Sequence, residues 1–237
     1  MVWSRFRRGR TAAPRLPLPG PCGHRRHTLR TERLLLYTPE TTLDLAAAAA
    51  AASDPEAQRW LGWGDIIVAD ADVRAALLRL RPGDIGDTGG TGAPPTSRLL
   101  QNLLARPFEP HVGDGAEVLV GVRLDDGRYA GCTMLHPDTG EIGGWLAPEA
   151  RGLGLGAELF RAAAVLGHGH LGMRTVRAGH EPENTASGRA LAKAGFVAAD
   201  GPPRHTLPNG REIDARWLER TTTTPLTHCR GAGRLPA

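Results

Sequence analysis

The residues best suited to chemistry sit in one short stretch, Arg151-Gly152-Leu153-Gly154-Leu155-Gly156. Glycine at three alternate positions removes Cβ atoms from a turn, so successive backbone N–H groups can converge on one small concavity. The helical run Ala157 to Leu166 follows at once, and the unpaired amides and dipole of a helix start add positive potential there. Together these make a site for a phosphate or pyrophosphate. Arg151 at its mouth adds a planar charge that matches phosphate oxygens. A bare strand-to-helix turn would not need three alternating glycines and an arginine. A Walker loop ends in Gly-Lys-Ser/Thr, whereas Gly156-Ala157-Glu158 supplies neither cation nor hydroxyl. Gly152, Gly154 and Ala157 satisfy the dinucleotide pattern G-x-G-x-x-A, but that pattern follows its strand directly and is answered by an acid about 20 residues on. Here Pro148 and Glu149 intervene, and the next strand, Arg174 to Ala178, carries no acid.

The elements that must hold this loop can be read from periodicity and turn chemistry. A strand over Ile142 to Leu146 enters it. Upstream, Leu34 to Thr38 reads as a strand stopped by Pro39, and Thr41 or Thr42 caps an alanine-rich helix through Ala52 with a poor apolar face. Asp54 to Trp63 reads as irregular; Trp60 and Trp63 are placed either in a substrate pocket or at the core edge. Asp70 to Leu80 carries a helical apolar stripe. Glu117 to Leu124 and Tyr129 to Leu135 form a hairpin about Asp125-Asp126-Gly127-Arg128. Downstream come a helix over Ser187 to Ala194 and a last hairpin, His205 to Leu207 with Ile213 to Leu218. Gly83 to Pro95 has linker composition and Ser97 to Ala105 reads as one short amphipathic helix; the segment Gly83 to Ala116 is either disorder or a substrate-side lid.

Downstream of the loop, Glu183-Asn184, Ser187 and Lys193-Ala194-Gly195-Phe196 follow in an order and spacing that resemble the GNAT N-acetyltransferases, in the branch of the ribosomal-protein N-terminal acetyltransferases. Arg151 to Gly156 fits that family's pyrophosphate loop at every fixed position. Glu141-Ile142-Gly143 with Trp145-Leu146 resembles its central strand, and Thr31 to Leu36 its first. The resemblance spans about residues 28–218. It implies an α/β (α+β) fold with a mixed, mostly antiparallel twisted sheet, a splayed central strand and helices on both faces. It also implies acetyl-CoA as acyl donor and an amine, on a protein N-terminus or a small molecule, as acceptor.

Specific roles follow from the resemblance. The loop residues Arg151, Gly152, Leu153, Gly154, Leu155 and Gly156 would hold the pyrophosphate. Backbone amides around Leu146 and Ala147 would polarise the thioester carbonyl. Asn184 would bond the pantetheine arm; on its own it reads as a helix N-cap. Glu141 is the candidate base and Glu183 a second one. Many relatives protonate the departing sulfur with a Tyr after the Asn, but this chain has only Tyr37 and Tyr129, both in early strands. Ser187 takes that position and serves best to orient the sulfur. Gly144, where an aromatic is common, suggests a roomier site. Cys132 reads as a small core residue and not an acyl carrier. The alternative is a non-catalytic acyl-CoA-binding or regulatory module on the same fold.

Charge distribution narrows the partners. The chain has net charge +4, but residues 1–33 hold nine Arg against one acid, and residues 34–218 hold 23 acids against 17 basic residues. An acidic body with basic ends favours a cationic acceptor over a nucleic acid. Residues 1–27 and 219–237 read as disordered extensions. No apolar run approaches the ~20 residues of a membrane span. Three cysteines without a CxxC pair fit a reducing cytoplasm, and no metal site is expected, including at His168 and His170. The oligomeric expectation is a monomer or homodimer.

Overall fold

A computed structural model of the chain describes residues 26–63, 68–82 and 115–223. Residues 1–25 of the expected extension 1–27, the helix over Ser97 to Ala105 and the expected tail from 224 onward lie outside the described residues.

Ten strands and five helices alternate along the described residues. β1 (Thr28–Arg30) and β2 (Leu34–Tyr37) open the chain, followed by α1 (Thr42–Ala52), α2 (Pro55–Leu61) and α3 (Ala71–Arg79). β3 (Glu117–Arg123), β4 (Tyr129–His136) and β5 (Glu141–Leu146) form the meander that the Asp125–Arg128 turn implied. Then come α4 (Leu155–Val165), β6 (Thr175–His180), α5 (Thr185–Lys193), β7 (Val197–Ala199), β8 (Arg204–Thr206), β9 (Glu212–Asp214) and β10 (Arg216–Thr221). The main sheet runs β1-β2-β3-β4-β5-β6-β10-β7, and β8 and β9 make a separate hairpin. Every pairing in the main sheet is antiparallel except β5 with β6.

That exception is the central feature. β5 and β6 share one register pair, Glu141 with Arg177, secured by the Arg177 N–H on the Gly140 carbonyl at 2.9 Å. Beyond Glu141 the strands diverge, leaving a wedge at the C-terminal end of β5. The expected splayed central strand is therefore present.

Helices cover both faces. On one, Ala48 of α1 packs with Val118, Val120 and Cys132, and the Trp145 indole N–H donates to the Ala48 carbonyl at 3.0 Å. On the other, Leu159 of α4 lies over Gly121 and Gly144. α1 starts in a capping box: the Thr41 hydroxyl accepts from the Asp44 N–H, and Asp44 accepts from the Thr41 N–H. Its alanines are buried nearly all round, so what read as a poor apolar face is a helix small enough to sit close to the sheet and α3. Asp44 itself is 2% exposed and accepts from both tyrosines of the chain, Tyr37 at 2.8 Å and Tyr129 at 2.5 Å.

Three expectations need correction. Asp54 to Trp63 contains α2, with Asp54 as N-cap and Pro55 at its first position. The last hairpin is β8 with β9 alone; after Ala215 the chain turns into β10, which enters the main sheet between β6 and β7. β10 also runs to Thr221, into the stretch assigned to the tail. No helix among the described residues is long and apolar enough to cross a membrane.

Candidate active site

After β5, Ala147 leads into a tight turn, Pro148–Ala150, and the glycine-rich loop follows. Gly154 is the N-cap of α4, and at φ 78° it holds a left-handed conformation that L side chains resist. A Cβ there would meet only the Arg33 guanidinium, at 3.5 Å, so the space above the loop is open. The first N–H to bond back into the turn is that of Ala157, on the Gly154 carbonyl at 3.3 Å. The amides of Gly152 to Gly156 lie ahead of it, at the positive end of α4.

The loop rests on a buried acid. Glu158, 4% exposed, accepts from the Thr31 hydroxyl, from the Arg33 N–H at 3.0 Å and from Arg33 Nε at 2.6 Å. Burial alone would raise this carboxyl, but the bonds from Thr31 and Arg33 hold it below its ordinary value. Arg33 also donates from Nη1 to the Leu153 carbonyl at 2.7 Å, so the first strands brace the loop from below.

Arg151 lines the cleft above the loop and is also held by protein partners. Its Nη2 pairs with Asp54 at 2.7 Å, and its Nε and Nη2 donate to the Leu146 carbonyl at 3.2 and 3.1 Å. The side chain clamps the end of β5 to the start of α2. The cleft above the loop, with a cavity volume of about 420 Å³, also carries Arg189 and Lys193 from α5. These two cations were not singled out in the sequence as phosphate partners; their position on the helix after Asn184 was the available signal.

A second cavity, of about 160 Å³, opens on the far side of the wedge and contains Glu141, His136, His180, Trp60 and Trp63. The two cavities share Trp60, Leu61, Gly144, Trp145, Phe160, Asn184 and Ser187. Asn184 caps α5 by accepting the Ser187 N–H at 3.1 Å, which fixes both residues at this junction. His180 at the end of β6, absent from the sequence expectations, presses on α5: a Cβ on Gly188 would lie 3.0 Å from its Nε2. Glu183, the second candidate base, is exposed and lines neither cavity.

The two expected amide donors separate. The Ala147 N–H bonds the Ala130 carbonyl at 2.8 Å and is engaged in the sheet. In the antiparallel β4–β5 ladder alternate residues point away from the partner strand. Leu146, opposite Gly131 and adjacent to that bonded pair, therefore directs its N–H into the wedge. Glu141 stands at the base of the wedge. Burial raises its carboxyl above the ordinary value, and the Arg177 charge only moderates the shift.

Gly144 does not widen the acceptor side. A Cβ there would point at Leu159 of α4, 3.1 Å away, and at the Cys132 carbonyl. It is Gly143, whose Cβ would meet nothing within 4 Å, that leaves room on the face shared with Glu141. Both tyrosines are committed to Asp44, and burial raises both phenols. Cys132 is buried, which raises its thiol. His168 bonds the Met173 carbonyl at 2.8 Å and His170 meets His27 at 3.1 Å. Among the described residues no three His, Cys, Asp or Glu gather as a metal site would require.

Comparison with known proteins agrees with this geometry. No curated protein matches the chain in sequence. Among solved structures it is similar to a GNAT-family acetyltransferase from Bacillus anthracis, with 16% identity and a TM-score of 0.54 over 82% of this chain and 98% of that one. A ribosomal-protein-serine acetyltransferase from Vibrio cholerae aligns at 14% identity and a TM-score of 0.52, over 82% of this chain and 97% of that one. RimL, a ribosomal alpha-N-protein acetyltransferase solved in complex with coenzyme A, aligns at 16% and 0.51, over 80% and 94%. The model of the acetyltransferase (GNAT) domain matches residues 33–197, so the chain belongs to the GNAT acetyltransferase family.

Proposed function

We propose that this chain transfers the acetyl group of acetyl-CoA to a primary amine by direct attack within a ternary complex. The observation that carries the proposal is the junction of two cavities at Asn184 and Ser187, one lined by the glycine loop and the other by a half-buried carboxylate. The loop amides of Gly152 to Gly156, with Arg189 and Lys193, suit the pyrophosphate, and the arm then runs into the wedge beside β5.

The chain's residues divide the work. The attacking nitrogen forms a bond to the thioester carbonyl carbon, and Glu141, directly or through one water, takes the proton it loses. Burial, by raising the Glu141 carboxyl, makes it a better base than an exposed acid. The carbonyl oxygen gains charge as the bond forms and meets the Leu146 N–H. Arg151, by holding the Leu146 carbonyl, fixes the plane of that amide; it is a positioning residue. When the C–S bond breaks, sulfur leaves beside Ser187 and takes up a proton, giving CoA thiol and the N-acetylated amine.

The test is calorimetric titration with acetyl-CoA, followed by release of free CoA with an amine panel. The full chain should bind acetyl-CoA, and Gly154→Glu should abolish binding. That variant sets a carboxylate where the pyrophosphate would lie and forces a left-handed non-glycine, a strain of about 1–2 kcal/mol. Equal affinity in the two proteins would overturn the loop assignment. Binding without CoA release from any amine would favour the non-catalytic module.

A further inference from the structure

The acceptor cavity has a composition that selects among amines. Trp60, Trp63, Trp145 and Trp217 all line it, and these are every tryptophan among the described residues. Three of the four have their polar edge engaged elsewhere. The Trp60 N–H donates to Glu56 at 2.9 Å, that of Trp145 to Ala48 at 3.0 Å and that of Trp217 to the Pro202 carbonyl at 2.7 Å. What these indoles can offer a ligand is carbon surface. Trp63 meets Trp145 edge to face at a centroid distance of 4.9 Å, an arrangement in which a further flat ring packs well.

The charges are as selective as the walls. Among the described residues two carboxylates line the cavity, Glu141 and Glu181. Glu181 is paired with Arg211 through two bonds, at 2.9 and 3.2 Å. That leaves one carboxylate to meet one ammonium. A second or third ammonium, as on a polyamine or an aminoglycoside, would be desolvated without a partner. Among the described residues no Lys or Arg lines the cavity, so an acceptor carboxylate would meet no permanent cation there. The β8–β9 hairpin also roofs the space. Arg211 donates to the Arg59 carbonyl at 2.6 Å and the Asn209 N–H to the Gly62 carbonyl at 2.8 Å, which tie the hairpin to α2. A roofed space suits a compact molecule better than a peptide chain that must leave it.

Resting on the acetyl-transfer reading, we infer that the acceptor is a single primary amine carried on a flat apolar body, an arylalkylamine without a carboxylate. Its ring lies among the indoles, its ammonium approaches Glu141, and Gly143 leaves room beside that carboxylate.

The experiment compares kcat/KM for CoA release by the full chain with 2-phenylethylamine, phenylalanine, spermidine, kanamycin and a peptide with a free N-terminus. The expected result is that 2-phenylethylamine exceeds each of the others at least tenfold, and that Trp63→Ala raises its KM about tenfold. Equal or higher efficiency with spermidine, kanamycin, phenylalanine or the peptide overturns the inference. If no amine releases CoA, acetyl transfer itself fails. The cavity assignment is then read from the intrinsic indole fluorescence of the CoA-saturated protein on adding 2-phenylethylamine. A saturable change supports the arylalkylamine site, and no change overturns it.

Discussion

Glu141 and Arg151 show how one residue's surroundings decide its use. In the proposed reaction Glu141 is the base, and its half-buried, raised carboxyl suits that role. The rate should therefore fall as pH drops through that raised value, where the carboxylate takes a proton, and hold above it. Glu141→Gln should lose this acidic limb and about 100-fold or more in kcat. A variant with the wild-type pH profile would remove Glu141 from the reaction. Ser187→Ala should lower kcat more than it changes the KM for acetyl-CoA, because the proposed reaction sets the hydroxyl beside the sulfur and not the phosphates. The sequence offered Glu141 as a candidate by its place on the central strand and Ser187 by resemblance. It did not show that Arg151 would bind Asp54, because that partner lies 97 positions away and nothing local announces it. It did not separate Leu146 from Ala147 either, since which amide faces the wedge depends on the register of β5 against β4.

At the level of elements, local signals were sufficient where the chain's own chemistry ends a segment. Thr41 with Asp44 gave α1 its start, and Asp125-Asp126-Gly127 turned β3 into β4. Asp54-Pro55-Glu56 carries an equally good helix start for α2, with a capping carboxylate and a proline at the first position. β10 is a different case. Its partners β6 and β7 are chosen by packing across the sheet, and nothing near Ala215 marks the change of sheet. The joint between α2 and the β8–β9 hairpin can be probed at Gly62, which sits at φ 60° and where a Cβ would lie 2.7 Å from the Leu207 Cβ. Gly62→Ala should push the two elements apart and raise the amine KM about tenfold, a loss of ~1.4 kcal/mol. Acetyl-CoA affinity should stay within about twofold. An unchanged amine KM would mean that the hairpin does not shape the acceptor side.

For the whole molecule, one polar cluster joins α1 to the sheet. Asp44 accepts from the buried Tyr129 phenol, the half-buried Tyr37 phenol and the Glu40 and Thr41 amides, so a single carboxylate ties β2, β4 and α1 together. Asp44→Ala should strand these donors and cost roughly 3–5 kcal/mol. A thermal melt should show Tm falling by roughly 10 °C. A fall of only one or two degrees would show that water replaces the carboxylate at little cost. The overall topology was legible because the loop, the meander before it and the Asn184 motif after it occur in one order along the chain. What no stretch of sequence could reveal was the depth of the wedge, which depends on β5 and β6 meeting at one register pair.

That single pair has a kinetic consequence. A sheet amide exchanges its proton slowly because a neighbouring strand holds it, and opening requires the pair to part. On the open lip of β5 no strand among the described residues lies beside the Leu146 N–H, so its proton should pass to deuterated water on the timescale of a loop. The Ala147 N–H, one residue along and bonded to β4, should keep its proton far longer. The strand thus carries fast and slow clocks side by side, and a molecule seated in the wedge would make itself known by stopping the fast one.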